Sequence, residues 1–250
     1  MTPDNKEKSF QQRREELLKS RLVKDTCPEC GNTNIPPGSK FCNECGAPLG
    51  ERVPREDTNT SSTQSKHAGE AIDLGLPSGT KWASCNVGAT KPEEYGSYFA
   101  WGETEEKEYY DWETYIHCDG DEGSCHNLFS DIAGTKYDVA HVKWGGNWRM
   151  PTNEQIEELL DNCTKKWTKI NGIEGRKFTS KLNGNSIFLP AAGDRWLGVL
   201  FDVGSRGYYW SSSQDPSYSY YAYSLDFGSG NASWDGSGRG LGFPVRPVSR

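Results

Sequence analysis

The chain has no run of about 18 consecutive apolar residues, so nothing in it reads as a membrane-spanning helix. It has no basic excess either. Its 28 Lys and Arg stand against 35 Asp and Glu, a net charge of −7. Nonspecific nucleic-acid binding needs a basic field over the chain, so no nucleic-acid partner is expected. The first residues, Met-Thr-Pro-Asp-Asn-Lys-Glu-Lys, are polar and have no apolar core behind them. No export signal is expected, which points to the cytoplasm, with a phage particle or signal-independent export left open. The Gly-x-Ser-x-Gly pattern of an activated serine is missing. No cysteine follows Cys163. With no export signal, the eight cysteines are expected to be reduced.

What the sequence does have is glycine and aromatic residues. Its 28 Gly and 12% Phe, Trp and Tyr point to a turn-rich fold rather than a helical one. The 250 residues fit one large domain, or one medium domain plus a small module. Residues 1–26 are expected to hold an amphipathic helix, with Phe10, Leu17, Leu18 and Leu22 on one stripe. So short a helix buries little alone, and the stripe is expected to meet another subunit or a protein partner, or else to remain a solvated arm. Residues 51–70 have almost no large apolar side chain and read as a flexible linker.

Between them, residues 27–50 form a separate module. Cys27-Pro-Glu-Cys30 and Cys42-Asn-Glu-Cys45 are two CxxC knuckles. Two knuckles at this spacing place four thiolates tetrahedrally around a structural Zn²⁺. A module this small cannot fold on apolar burial, so the metal supplies most of its folding energy. Four sulfurs leave no open coordination position, so the zinc is not catalytic. The module resembles the zinc ribbons at the start of many bacterial proteins.

The remaining residues, 71–250, read as one α+β domain. Ile72, Leu74 and Leu76 alternate before Pro-Ser-Gly-Thr and Trp82, a β-hairpin. Residues 103–136 are acidic and Gly-rich, an expected irregular excursion. Thr152 and Gln155 form a capping box for a helix over about 153–163, with Ile156, Leu159, Leu160 and Cys163 on its buried face. Strand-like sequence begins at Trp167 and Ile170, and Ile187-Phe188-Leu189-Pro190 is a short buried strand.

The most informative stretch is Ser211 to Arg239. There, 21 of 29 residues are Ser, Tyr, Gly, Asp or Asn, with no Lys, Glu, Ile, Met or Cys. This is the composition of a paratope: rigid Tyr for contact area and small polar residues for adaptable hydrogen bonds. Within and after it, Tyr223, Leu225 and Phe227, then Ala232 and Trp234, then Phe243 and Val245 alternate with polar or small residues. Three antiparallel strands are expected, each with one buried and one outward face.

Six ordered motifs carry a family resemblance: Asp73-Leu-Gly-Leu-Pro-Ser-Gly-Thr-Lys-Trp-Ala-Ser, Trp101-Gly-Glu-Thr, Trp144-Gly-Gly-Asn-Trp-Arg-Met-Pro-Thr, Asn183-Gly-Asn-Ser-Ile-Phe-Leu-Pro-Ala-Ala-Gly, Gly207-Tyr-Tyr-Trp-Ser-Ser-Ser and Val245-Arg-Pro-Val. Together they resemble the Fibrobacter-type major paralogous domain of gut bacteria. That domain is similar to the C-type-lectin fold of formylglycine-generating enzymes. Within it, a C-terminal stretch of this kind resembles the variable region of diversity-generating retroelement target proteins. In those systems, errors at template adenines rewrite the end of the gene. An Asn codon randomised at its adenines yields Asn, Asp, Ser, Tyr and Gly among others, but never Lys, Glu, Gln, Met or Trp. Gln214 and Trp234 therefore belong to fixed framework.

The resemblance implies a division of labour that the alternation supports. Tyr223, Leu225, Phe227, Ala232, Trp234, Phe243 and Val245 are expected as buried scaffold. Ser224, Asp226, Asn231 and Ser233 are expected to point outward. Asp215, Ser217, Tyr218, Ser219, Tyr220 and Tyr221 are expected in one loop, and Asp235, Gly236, Ser237 and Gly238 in another. The variable region, about 211–240, would bind a protein or other macromolecular ligand. Formylglycine-generating enzymes use late cysteines to bind copper, and this chain has none, so no catalytic residue is expected.

Other constellations carry less. His117, Cys118, Cys125 and His126 flank an acidic loop that reads as a second zinc site, a weak Ca²⁺ site or a solvated loop. Asp138 and His141 are expected to form a structural hydrogen bond. Asp194-Arg195-Trp196 either rims the surface or pairs internally. The expected function is recognition without catalysis. The alternative is an intracellular adaptor whose lectin-like domain is fixed and whose ribbon and helix recognise partners.

Overall fold

The computed structural model describes residues 69–250. The expected N-terminal helix, the ribbon cysteines Cys27, Cys30, Cys42 and Cys45, and all but the end of the linker lie outside the described residues.

The domain is mostly antiparallel strand with few helices. In chain order the strands are β1 Ala71–Asp73, β2 Lys81–Ala83, β3 Cys163–Ile170, β4 Ile173–Ser180, β5 Ser186–Pro190, β6 Asp194–Trp196, β7 Val199–Phe201, β8 Gly207–Gln214, β9 Tyr221–Phe227, β10 Ala232–Gly238 and β11 Val248–Ser249. Helices α1 (Val139–Trp144) and α2 (Asn153–Asn162) precede β3. The sheets are β1-β2-β11, β3-β4-β5, β6-β7 and β10-β9-β8.

The expected hairpin is β1-β2, with Ile72 opposite Trp82. Its strands are short because Leu74 and Leu76 leave the ladder and enter the core. The chain closes on itself here, since Val248 of β11 also pairs with Trp82. The β3-β4 hairpin turns on Asn171 and Gly172, at φ 48° and 86°. Asn-Gly supplies the two left-handed residues that a tight hairpin requires.

Helix α2 matches its sequence signals. The Thr152 side chain accepts from the Gln155 N–H, and the Gln155 side chain reaches back to the Thr152 N–H. Ile156, Leu159 and Leu160 are buried. Cys163 is buried too, but it caps the helix and opens β3 at once, four residues before the strand expected at Trp167. The main core gathers Trp82, Ile156, Leu159, Phe178, Tyr209 and Phe227. Among the described residues, no helix is long and apolar enough to cross a membrane.

Residues 103–136 form the expected excursion, with one 3-10 turn at Glu122–Ser124 as their regular structure. Two buried tyrosines pin it. Tyr115 donates its hydroxyl to Trp101 O at 2.7 Å, and Tyr110 donates to Tyr98 O. Burial pushes the Tyr110 phenol up to about 12.

Two expectations are corrected here and one, the Asp138–His141 bond, is made specific. Cys118 and Cys125 are joined as a disulfide, so they are not reduced thiols and are not available as a pair of zinc thiolates. Cys85 and Cys163 are free and buried. Asp138 caps α1 through the backbone N–H of His141, at 3.0 Å, and also accepts from the Gly134 and Met150 N–H groups. It does not hold the His141 ring. The stretch around Phe243 and Val245 is buried as expected, but it is not a strand. Its carbonyls serve Phe99, Trp210, Val87 and Ala83 in turn, so no single ladder forms. The side chain of Arg246 enters the core there and donates to Asn86 Oδ1 and to the carbonyls of Ala83, Ser84 and Phe188.

Candidate recognition surface

The Ser/Tyr/Gly-rich stretch lies in the β8-β9-β10 sheet, with β9 between β8 and β10. Register puts Tyr208, Asp226 and Ser233 in one row, and Tyr209, Leu225 and Trp234 in the next. Alternation then sends the two rows to opposite faces.

Both faces of β9 are covered. On one, Tyr209 stacks on Phe227 at 5.9 Å, and Phe178 and Trp167 meet the Phe227 edge. On the other, Tyr208 and Trp210 stack on Phe243 at 5.3 and 4.3 Å. Ser224, expected outward, is therefore 0% exposed. Its hydroxyl meets the Ser237 hydroxyl at 3.0 Å. Asp226, also expected outward, is half-buried and paired with Arg206. Burial raises its carboxyl above the ordinary range, while Arg206 pulls it down. Leu225 and Phe227 are buried as expected, whereas Tyr223 is only half-buried.

Strand β10 reverses two further expectations. Asp235, Gly236, Ser237 and Gly238 lie within it, not in a loop. Trp234, expected in the core, is 40% exposed and meets the Tyr223 ring edge-on at 5.1 Å. An edge strand lacks a neighbour on one side, and its side chains gain less cover than alternation alone implies. Ala232 is half-buried against the main core. Ser233 and Asp235 are exposed, Ser237 is half-buried, and Asn231 sits exposed in the β9-β10 turn.

The loop before β9 is built on Asp215. Its carboxylate accepts from Ser217 N–H at 2.7 Å and Tyr218 N–H at 3.3 Å. The rings of Tyr218, Tyr220 and Tyr221 form a cluster, with Tyr220 and Tyr221 at 4.4 Å. Tyr218 is 42% exposed and Ser217 is exposed, while Ser219 and Tyr220 are half-buried. Tyr221 is buried as the first residue of β9, so it leaves the expected contact set.

Arg239 was not singled out in the sequence, yet it ties this surface together. It is 0% exposed. Its Nε donates to the Tyr115 hydroxyl at 2.8 Å, and Nη1 donates to His126 O at 2.9 Å and to Ser219 O. Its guanidinium lies 4.8 Å from the Trp101 ring centre. One side chain thus holds the disulfide loop and the tyrosine loop to the core. The composition break at Arg239, the first cation after Arg206, was the signal available for it. Trp112 lies over Gly238 and Gly240, whose missing side chains make room for the ring. Asp194 is buried and Arg195 lies 5.1 Å over the Tyr98 ring, so this triplet packs internally.

Among the described residues, no group of three or more His, Cys, Asp or Glu side chains is placed to hold a metal. The His126 ring meets Asp119 at 3.2 Å, and the His117 ring meets Gly102 O at 3.1 Å. No Lys or Arg occurs from Gly207 to Gly238, so the patch is acidic and aromatic. No protein-family model, no curated protein and no solved structure matches this chain.

Proposed function

We propose that residues 71–250 are a C-type-lectin-like display domain whose β8-β9-β10 end binds a macromolecular target without catalysis, its side chains varied by a diversity-generating retroelement. One observation carries this. The paratope-like residues at the accessible positions, Ser217, Tyr218, Asn231, Ser233 and Asp235, stand on a frame of buried Trp210, Leu225, Phe227 and Phe243. Exposed Tyr supplies area at low entropic cost, and buried rings hold the backbone while neighbours change. The ribbon donors Cys27, Cys30, Cys42 and Cys45 suit a structural Zn²⁺, and that module with the N-terminal helix would join the display domain to a partner.

The experiment is sequencing of codons 205–250 across a population of source cells. Substitutions at adenine-templated positions, with Trp210, Leu225, Phe227 and Val245 constant, are the expected result. A uniform sequence with no near-identical template repeat beside the gene would overturn it and return the fixed adaptor.

A further inference from the structure

Strands β3 and β10 both run along sheet edges, and they are guarded differently. Strand β3 carries Lys165, Lys166 and Lys169, all exposed. Lysine on an edge discourages another chain from pairing there. Strand β10, Ala-Ser-Trp-Asp-Gly-Ser-Gly, has neither Lys nor Pro.

Register fixes which backbone groups of β10 look outward. At one end Gly228 N–H donates to Asn231 O, and at the other Arg239 N–H donates to Tyr220 O. Hydrogen-bonded pairs alternate along an antiparallel ladder. Ser233, Asp235 and Ser237 therefore bond to β9, while Ala232, Trp234 and Gly236 aim their N–H and C=O groups away from the sheet. The Gly236 N–H is met by the Asp235 carboxylate at 2.9 Å. Among the described residues, no hydrogen bond reaches the backbone of Ala232 or Trp234 from outside the sheet.

Carboxylates stand beside this edge, and Arg206 is already paired with Asp226 of β9. Helix α2, which packs near β10, contains Glu154, Glu157, Glu158 and Asp161 and no cation. Asp235 is exposed on the strand. Asp215 lies over Gly236, its carboxylate 3.3 Å from where a Cβ would sit. The missing side chain at Gly236 lets that carboxylate lie against the strand, alongside the paired rings of Tyr223 and Trp234. A carboxylate beside aromatic faces is a seat for an ammonium or guanidinium group.

We propose that β10 is a docking edge, to which an extended segment of a protein partner with Lys or Arg at alternate positions adds as a fourth strand. A cationic side chain of that segment sits over Gly236, between Asp215, Tyr223 and Trp234. Main-chain bonds to Ala232 and Trp234 give affinity, and the carboxylates select the sign of charge. This rests on the binding reading above and names its partner class.

The test uses the full chain and a synthetic peptide, Thr-Lys-Val-Lys-Val-Arg-Thr, followed by fluorescence anisotropy. Its counterpart has Glu at each cationic position. Two further versions are N-methylated on one or the other alternate set of amides. The cationic peptide should bind and slow amide exchange at Ala232 and Trp234. Methylation of one set should weaken it by about tenfold or more and of the other set hardly at all, since only one set faces β10. Asp235→Asn at its exposed site, combined with Asp215→Asn at its half-buried one, should also cost about tenfold. No binding by the cationic peptide, equal binding by the Glu peptide, or equal effects of the two methylations would each overturn the docking edge. Codon variation with no peptide binding would sink this inference alone, whereas a uniform gene would sink the diversified-surface reading whatever the peptide does.

Discussion

Replacing Arg239 by Met keeps most of the stem and removes the guanidinium. Three hydrogen bonds from a charged donor disappear, to Tyr115, His126 and Ser219. At about 1.5–3 kcal/mol each, plus about 2 for a desolvated cation over Trp101, the gross loss is roughly 6–11 kcal/mol. Against it stands the cost of burying the cation, several kcal/mol for a group with 0% exposure. The expected net loss is about 3–5 kcal/mol. Each kcal/mol lowers the Tm of a domain this size by about 2–4 °C, so a fall near 10 °C should appear in calorimetry of the full chain. Amide exchange should rise in both loops that share the guanidinium, 117–127 and 215–220, ahead of the β3-β4 hairpin. Arg239→Lys should not rescue, because one ammonium cannot span three acceptors. A Tm change under about 2 °C would refute the reasoning, showing that burial cost cancels the bonds.

Ser224→Tyr should unfold or strongly destabilise the domain, since its hydroxyl already meets Ser237, whereas Ser217→Tyr on the exposed loop should shift a urea midpoint by the equivalent of about 0.5 kcal/mol at most. Cys163, pushed up to about 11 by burial, should resist iodoacetamide at pH 8 in the folded chain and react on unfolding, as read by mass spectrometry. Asp226 has a carboxyl raised above its unfolded value, so its stabilising contribution is complete at acid pH and is lost as pH rises through the folded value. Asp226→Asn should flatten that part of the stability profile in urea melts between about pH 3 and 7, and an unchanged slope would assign it to other groups.

Local chemistry was the legible part of this domain. The capping box at Thr152 and Gln155, the hairpin at Ile72 and Trp82 and the short strand ending at Pro190 all act over a few residues, and they appear where their signals lie. The face of the β8-β9-β10 sheet was read less well because alternation reports two faces without saying what covers each. Ser224 looks like an outward position until Tyr208, Trp210 and Phe243 are brought over it from distant segments. Trp234 looks like core until the sheet order places it on an edge. The Cys118–Cys125 bond was hidden by an argument about compartment, although only seven positions separate the two residues. The acceptors of Arg239 and Arg246 were not legible, because they are mostly backbone carbonyls, which no residue type announces.

The pairing of Val248 with Trp82 also sets an order of events during synthesis. Strand β2 leaves the ribosome early, but one of its edges waits for residues made about 165 positions later. Everything between, including codons 215–238, must already be translated when that edge closes. A substitution that the sheet cannot accommodate would therefore leave that edge of β2 unpaired and its apolar neighbours open to chaperones and proteases. Closure at β11 would act as an inspection step, completed only when the frame of the β8-β9-β10 sheet has formed.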